Sequence, residues 1–157
     1  SHQKSLSDYE KSVFYSSWVY SAVHLMTTLE RHVDFEFICK RLSLSSERAR
    51  EIISFLKGIN LIFEENGRLK AGVASTHIEK GSPFLIKHHS NWRIKALEKS
   101  ESLSDEEMMY STNISLSKKD FHKLREEMIR FIQELQKTVK DSPAEDLAQF
   151  NLDFFWL

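Results

Sequence analysis

The chain has 157 residues, 22 of them basic and 23 acidic for a formal charge of −1, a length that suits one compact domain or two small ones. Hydrophobic residues at 41% and charged residues at 29% exclude wholesale disorder, and four glycines with two prolines leave little room for a turn-rich all-β fold. A single cysteine, Cys39, excludes an internal disulfide framework and, with no signal peptide in view, points to a reducing, cytoplasmic setting.

Ser1-His2 reads as a tag remnant and residues 1–8 as a leader. Ser12 to Leu29 carries no formal charge, nearly the length of a membrane span. Six Ser and Thr hydroxyls with His24 make it too polar for lipid, so it reads as a buried helix and no membrane partner is expected. Phe14, Trp18, Ala22, Leu25 and Leu29 recur at spacings of three and four, predicting one helix over about 9–31. Asp34 is suited to cap a short helix through Leu42, and Ser45 the next one, whose Ala49, Ile52, Ile53 and Leu56 form an apolar face. Gly58 is expected to end it in a left-handed conformation. Asn66-Gly67 between two short extended runs is a hairpin signal, because both turn positions need positive φ.

Helix, short helix, capped helix and hairpin in that order predict a winged helix-turn-helix over 9–72. In such motifs the second helix enters the DNA major groove. Turning residues 46–58 by about 100° per residue places Glu47, Glu51 and Ser54 opposite the apolar face, with Arg48 and Arg50 on the flanks. Carboxylates on a groove-facing ridge meet repelling phosphates, which favours a scaffold or dimer role. The alternative is direct DNA contact through Arg48, Arg50, Arg68 and Lys70.

Residues 73–83 read as a connector, followed by a helix over about 84–99 with Leu85, Trp92, Ala96 and His89 inward. Thr112, Ile114 and Leu116 alternate with polar neighbours, predicting a strand. Ser117 and Asp120 resemble a capping box opening a helix to about residue 140, striped by Phe121, Leu124, Met128, Ile132, Leu135 and Val139. Residues 150–157 alternate and then become wholly apolar, predicting a closing strand. The fold expected is thus α+β and mostly helical: a winged helix-turn-helix, a helix, and a strand-helix-strand module, with 84–157 a regulatory module packed on the winged helix. An exposed Phe-Phe-Trp-Leu end would aggregate, so it calls for cover within the chain or in a homodimer.

Charge divides into −2 over residues 1–39, +6 over 40–95 and −5 over 96–157, matching either a polyanion footprint or internal complementarity. There is no Gly-rich phosphate loop, no His-Glu-x-x-His and no cysteine cluster. His88 and His89 are adjacent and diverge on a helix, so no metal, no cofactor and no enzymatic activity are expected.

The Trp18-Val-Tyr-Ser-Ala22-Val23 run, the helices with their Asn66-Gly67 wing, the helix around His89 to Ala96, and the closing Phe150-Asn-Leu-Asp-Phe-Phe155 together resemble one family over about residues 9–157. It is the C-terminal domain of a little-characterised bacterial family of predicted transcriptional regulators, expanded in predatory bacteria. The resemblance implies a separate upstream helix-turn-helix of phage-repressor type, and so DNA reached through the full-length protein. It carries no catalytic residues. The expectation is a regulatory, self-associating domain with an effector of unknown identity, sensed at a junction for which Trp18, His89, Trp92 and Phe155 are the candidates.

Overall fold

The computed structural model describes residues 5–157; the expected tag remnant at Ser1-His2 lies outside the described residues. Six α-helices and one two-stranded antiparallel sheet are present among them, so the protein is α+β and mostly helical. The chain divides into two compact units, one running up to Glu98 and completed by Ala144–Gln149, the other formed by Lys99–Pro143 with Phe150–Leu157.

The first unit begins inside the expected leader. Leu6 is buried in the core, and Ser7 opens α1 (Asp8–Phe14) through a reciprocal capping box with Glu10. The single helix expected over 9–31 is two. α1 stops at Tyr15, and α2 (Trp18–Met26) restarts with the Ser17 hydroxyl accepting from the Val19 N–H. Serine hydroxyls compete for backbone groups here: Ser12 donates to the Tyr9 carbonyl and Ser16 to that of Val13. The restart changes the phase of the apolar stripe. Val19, Ala22, Val23 and Met26 face inward, while Leu25, expected in the stripe, is 49% exposed.

Asp34 caps α3 (Phe35–Leu42) by accepting from the Phe37 N–H at 2.8 Å. Ser43 turns the chain in a left-handed conformation, and Ser45 caps α4 (Ser46–Gly58). The apolar face of α4 is buried as its spacing requires, at Ala49, Ile52, Ile53 and Leu56. Gly58, expected to be the left-handed terminator, is instead the last helical residue. Asn60 takes that conformation (φ 63°), the Leu61 N–H reaching back to the Leu56 carbonyl and the Asn60 N–H to that of Lys57. That is the hydrogen-bond pattern of a Schellman ending, with asparagine tolerated because its side chain is short and polar.

β1 (Ile62–Glu65) and β2 (Arg68–Ala71) pair with Glu65 opposite Arg68 and Ile62 opposite Ala71. Asn66 and Gly67 have φ of 52° and 77°, as a two-residue hairpin turn demands. The hairpin is tied inward at Leu69, whose N–H donates to the Val33 carbonyl at 2.7 Å. α2, α3, α4 and the hairpin close on Val23, Met26, Val33, Ile38, Ile52, Leu56 and Leu61, each sealed from solvent. Side chains of this size contribute about 1.5–3 kcal/mol each on full burial. α5 (Pro83–Lys99) follows the connector.

The second unit contains a 3-10 turn at Ser100–Ser102 and the 24-residue α6 (Lys118–Asp141), capped by Ser117, whose hydroxyl accepts from the Asp120 N–H. The expected strand-helix-strand module does not form, since neither 112–116 nor 150–157 is a strand. Alternation makes a strand only when the backbone meets a second backbone to pair with. Ile114 is half exposed, and in the closing segment Phe154 and Trp156 each stack on Phe121 of α6 at 4.2 Å while Phe155 stays exposed.

Candidate functional site

Cations flank the outer side of α4 and the hairpin, but most are engaged by carboxylates. Arg48 meets Glu51 at 3.1 Å and lies over the Tyr20 ring; its guanidinium is held further toward the charged form by the Glu51 hydrogen bond, against the cost of partial burial. Lys70 pairs with Glu65 at 3.2 Å and Lys57 with Glu64 at 2.8 Å. Arg68 is half-buried, with its Nε sealed from solvent and without a hydrogen-bond partner. Arg50 is exposed and lies over Phe35. Glu47, Glu51 and Ser54 face solvent. An open groove of about 450 Å³ between α3, α4 and the hairpin is lined by Phe35, Arg50, Ile53, Ser54, Lys57, Glu64 and Leu69. Its charged lining is two cations and one carboxylate, and Glu64 already engages Lys57, which leaves Arg50 as the one lining cation outside an ion pair with that carboxylate.

A second cluster joins the α1–α2 break to α5. Trp18 opens α2 and meets Trp92 of α5 with ring centres 6.1 Å apart, while the Lys95 ammonium sits 4.0 Å over the Trp18 ring. Both tryptophans are half-buried. Immediately before Trp92 on α5, the Asn91 amide donates to the Tyr15 carbonyl at 2.8 Å, and the Tyr15 hydroxyl donates to the Thr76 carbonyl at 2.9 Å. Burial pushes the Tyr15 phenol up to about 12. His88 stands edge-on to Tyr15 with its Nδ1 buried and without a hydrogen-bond partner. Burial lowers its pKa, helped by His89 and Arg93 nearby.

The four junction candidates therefore separate. Trp18 and Trp92 are neighbours. His89, expected inward, is exposed beside His88, their rings 5.9 Å apart. Phe155 belongs to the second unit and is 70% exposed. Lys95, Asn91 and Tyr15 escaped the sequence reading. Lys95 sits three residues after Trp92, a helical spacing that pairs them on one face, but nothing local to Tyr15 shows that a side chain from α5 will take its carbonyl. Among the described residues no three His, Cys, Asp or Glu side chains converge as a metal ion requires, and no helix is long and apolar enough to cross a membrane.

Neither the curated proteins nor the solved structures contain a match to this sequence. A family model does match it, over residues 1–157, and its description is a domain of unknown function. With the whole length covered, the chain belongs to the DUF4423 family.

Proposed function

We propose that this chain is the regulatory and self-association part of a transcriptional regulator, a binding module rather than an enzyme. α3, α4 and the hairpin are read as a winged helix-turn-helix used as scaffold, with base reading supplied by a separate domain of the full-length protein. The observation that carries this reading is the state of the α4–hairpin cations. Arg48, Lys57 and Lys70 are each held by a glutamate, and Glu47 and Glu51 occupy the outward ridge. A base-reading ridge needs donors such as Arg, Asn or Gln at its centre. The Trp18–Trp92 pair is the part of the first unit best suited to a flat, neutral or anionic effector, because two half-buried indoles offer aromatic surface while the Lys95 ammonium over Trp18 repels a second cation.

Sedimentation of the purified chain with and without random-sequence duplex tests the proposal. Self-association without duplex binding is the expected result. Salt-dependent duplex binding that disappears in an Arg68→Ala/Lys70→Ala variant would establish the direct DNA-contact alternative through Arg48, Arg50, Arg68 and Lys70 instead.

A further inference from the structure

The second unit is about a third of the chain, yet Phe121 is its one side chain in the buried class. Eleven of the eighteen large hydrophobics exposed among the described residues lie in it. On α6, Phe121, Leu124, Met128, Phe131 and Leu135 follow the alternating three-and-four spacing of a coiled-coil seam. The closing segment lies along this helix: Phe154 and Trp156 stack on Phe121, and Phe150 meets Phe131, ten residues further on, at 5.8 Å. Helix and segment thus pack as one apolar layer, still open at Phe131 (56%) and Trp156 (53%), with Val139 (64%) on the same helix and Phe155 (70%) on the same segment also exposed.

We infer that this surface of α6 and residues 150–157 is where two copies of the chain pair. The inference rests on the self-association reading above and names its interface. Size supports it. Those four side chains leave on the order of 500 Å² uncovered, before the half-buried Leu124, Met128, Ile132 and Leu135 are added. Two copies together exceed the roughly 1,000 Å² that a specific interface must clear. Charge selects a second copy as the occupant. An isologous patch has to complement itself. The unit carries both an acidic stretch (Glu101, Asp105 and Glu106) and a lysine-rich helix start (Lys118, Lys119 and Lys123, with Asp120 among them), so a second copy offers each sign a complement. Along the helix, Lys123, Glu127, Arg130, Glu134, Lys137 and Asp141 alternate in sign at spacings of three and four, so no single-sign field opposes self-pairing.

The test is sedimentation equilibrium of the whole chain, paired with a pulsed dipolar measurement on a nitroxide at Val139→Cys in a Cys39→Ser background, Cys39 being the only native cysteine. The expected results are twice the chain mass, a dipolar signal between copies, and a dissociation constant raised about 100-fold by Val139→Glu/Phe155→Glu. Ile86→Glu/Val73→Glu, at exposed positions of the first unit, should leave the mass unchanged. A dimer that persists in folded Val139→Glu/Phe155→Glu overturns this interface and leaves the self-association reading standing. A monomer at every concentration overturns both. If the glutamate variant does not fold, the dipolar signal decides, and its absence overturns the inference.

Discussion

The Asn91 side-chain amide donates to the Tyr15 main-chain carbonyl at 2.8 Å, joining α5 to the point where α1 gives way to α2. Asn91 is buried, so the bond satisfies two polar groups that water cannot reach. It ties α5 to the chain just before the Ser17 cap that begins α2, next to where Trp92 and Lys95 meet Trp18.

Removing that donor should be costly for its size. Asn91→Leu strands a carbonyl without its partner and should lower unfolding free energy by about 1–3 kcal/mol. Tyr15→Phe, which deletes only the hydroxyl bond to Thr76, should cost about 1 kcal/mol. Urea melts of the two variants check the order, and an unchanged midpoint for Asn91→Leu would refute the role given to the bond.

Two hairpin glycines should differ in sensitivity. Gly67 has φ of 77° and open space around it, so Gly67→Ala pays only the left-handed strain, about 1 kcal/mol. A Cβ on Gly72 would run into the carbonyl oxygen of Asn60 and lie 2.9 Å from its carbon, both backbone atoms that cannot swing aside. Gly72→Ala should therefore be the more destabilising by thermal melting, despite an ordinary φ.

Burial lowers the pKa of His24, and burial followed by neighbouring charges lowers that of His88. The unfolded chain takes up these protons at the ordinary value of 6.5, before the folded chain does, so proton uptake favours unfolding. The stability they contribute is present in full above 6.5 and is lost as pH falls through the lower folded values. Urea midpoints should decline on acidification below that point, and less steeply in His88→Gln. The opposite limit belongs to Tyr15. Its phenol ionises at 10 when unfolded and about 12 when buried, so stability should fall as pH rises across that interval.

Residues 144–149, which complete the first unit, are fastened to the rest of it through Arg41 and Glu30. Arg41 meets Asp146 at 2.8 Å, and the Glu30 N–H donates to the Ala144 carbonyl at 2.8 Å. The arginine hydrogen bond holds the Asp146 carboxyl below its usual range. The pair is exposed and screened, so Arg41→Ala should change global stability by less than about 1 kcal/mol. Locally the loss should show as faster amide hydrogen exchange at Glu30, and unaltered exchange there would mean that Ala144 and Leu147 packing alone holds the segment.

The sequence by itself determined whatever is settled within a few residues of chain. Asp34, Ser45 and Ser117 cap the helices that follow them, Asn66-Gly67 turns the hairpin, and Ala49, Ile52, Ile53 and Leu56 face inward on α4. Each answers to a backbone group or a turn of helix close by, so spacing and residue type are enough. Tertiary structure decided the rest. The Tyr15 carbonyl at the helix break takes its partner from Asn91, the Trp18 ring takes Lys95, and the fate of residues 112–116 and 150–157 turned on whether another backbone was there to pair with. These partners lie tens of positions away, and alternation or periodicity records only which side a residue prefers, not what it will meet there.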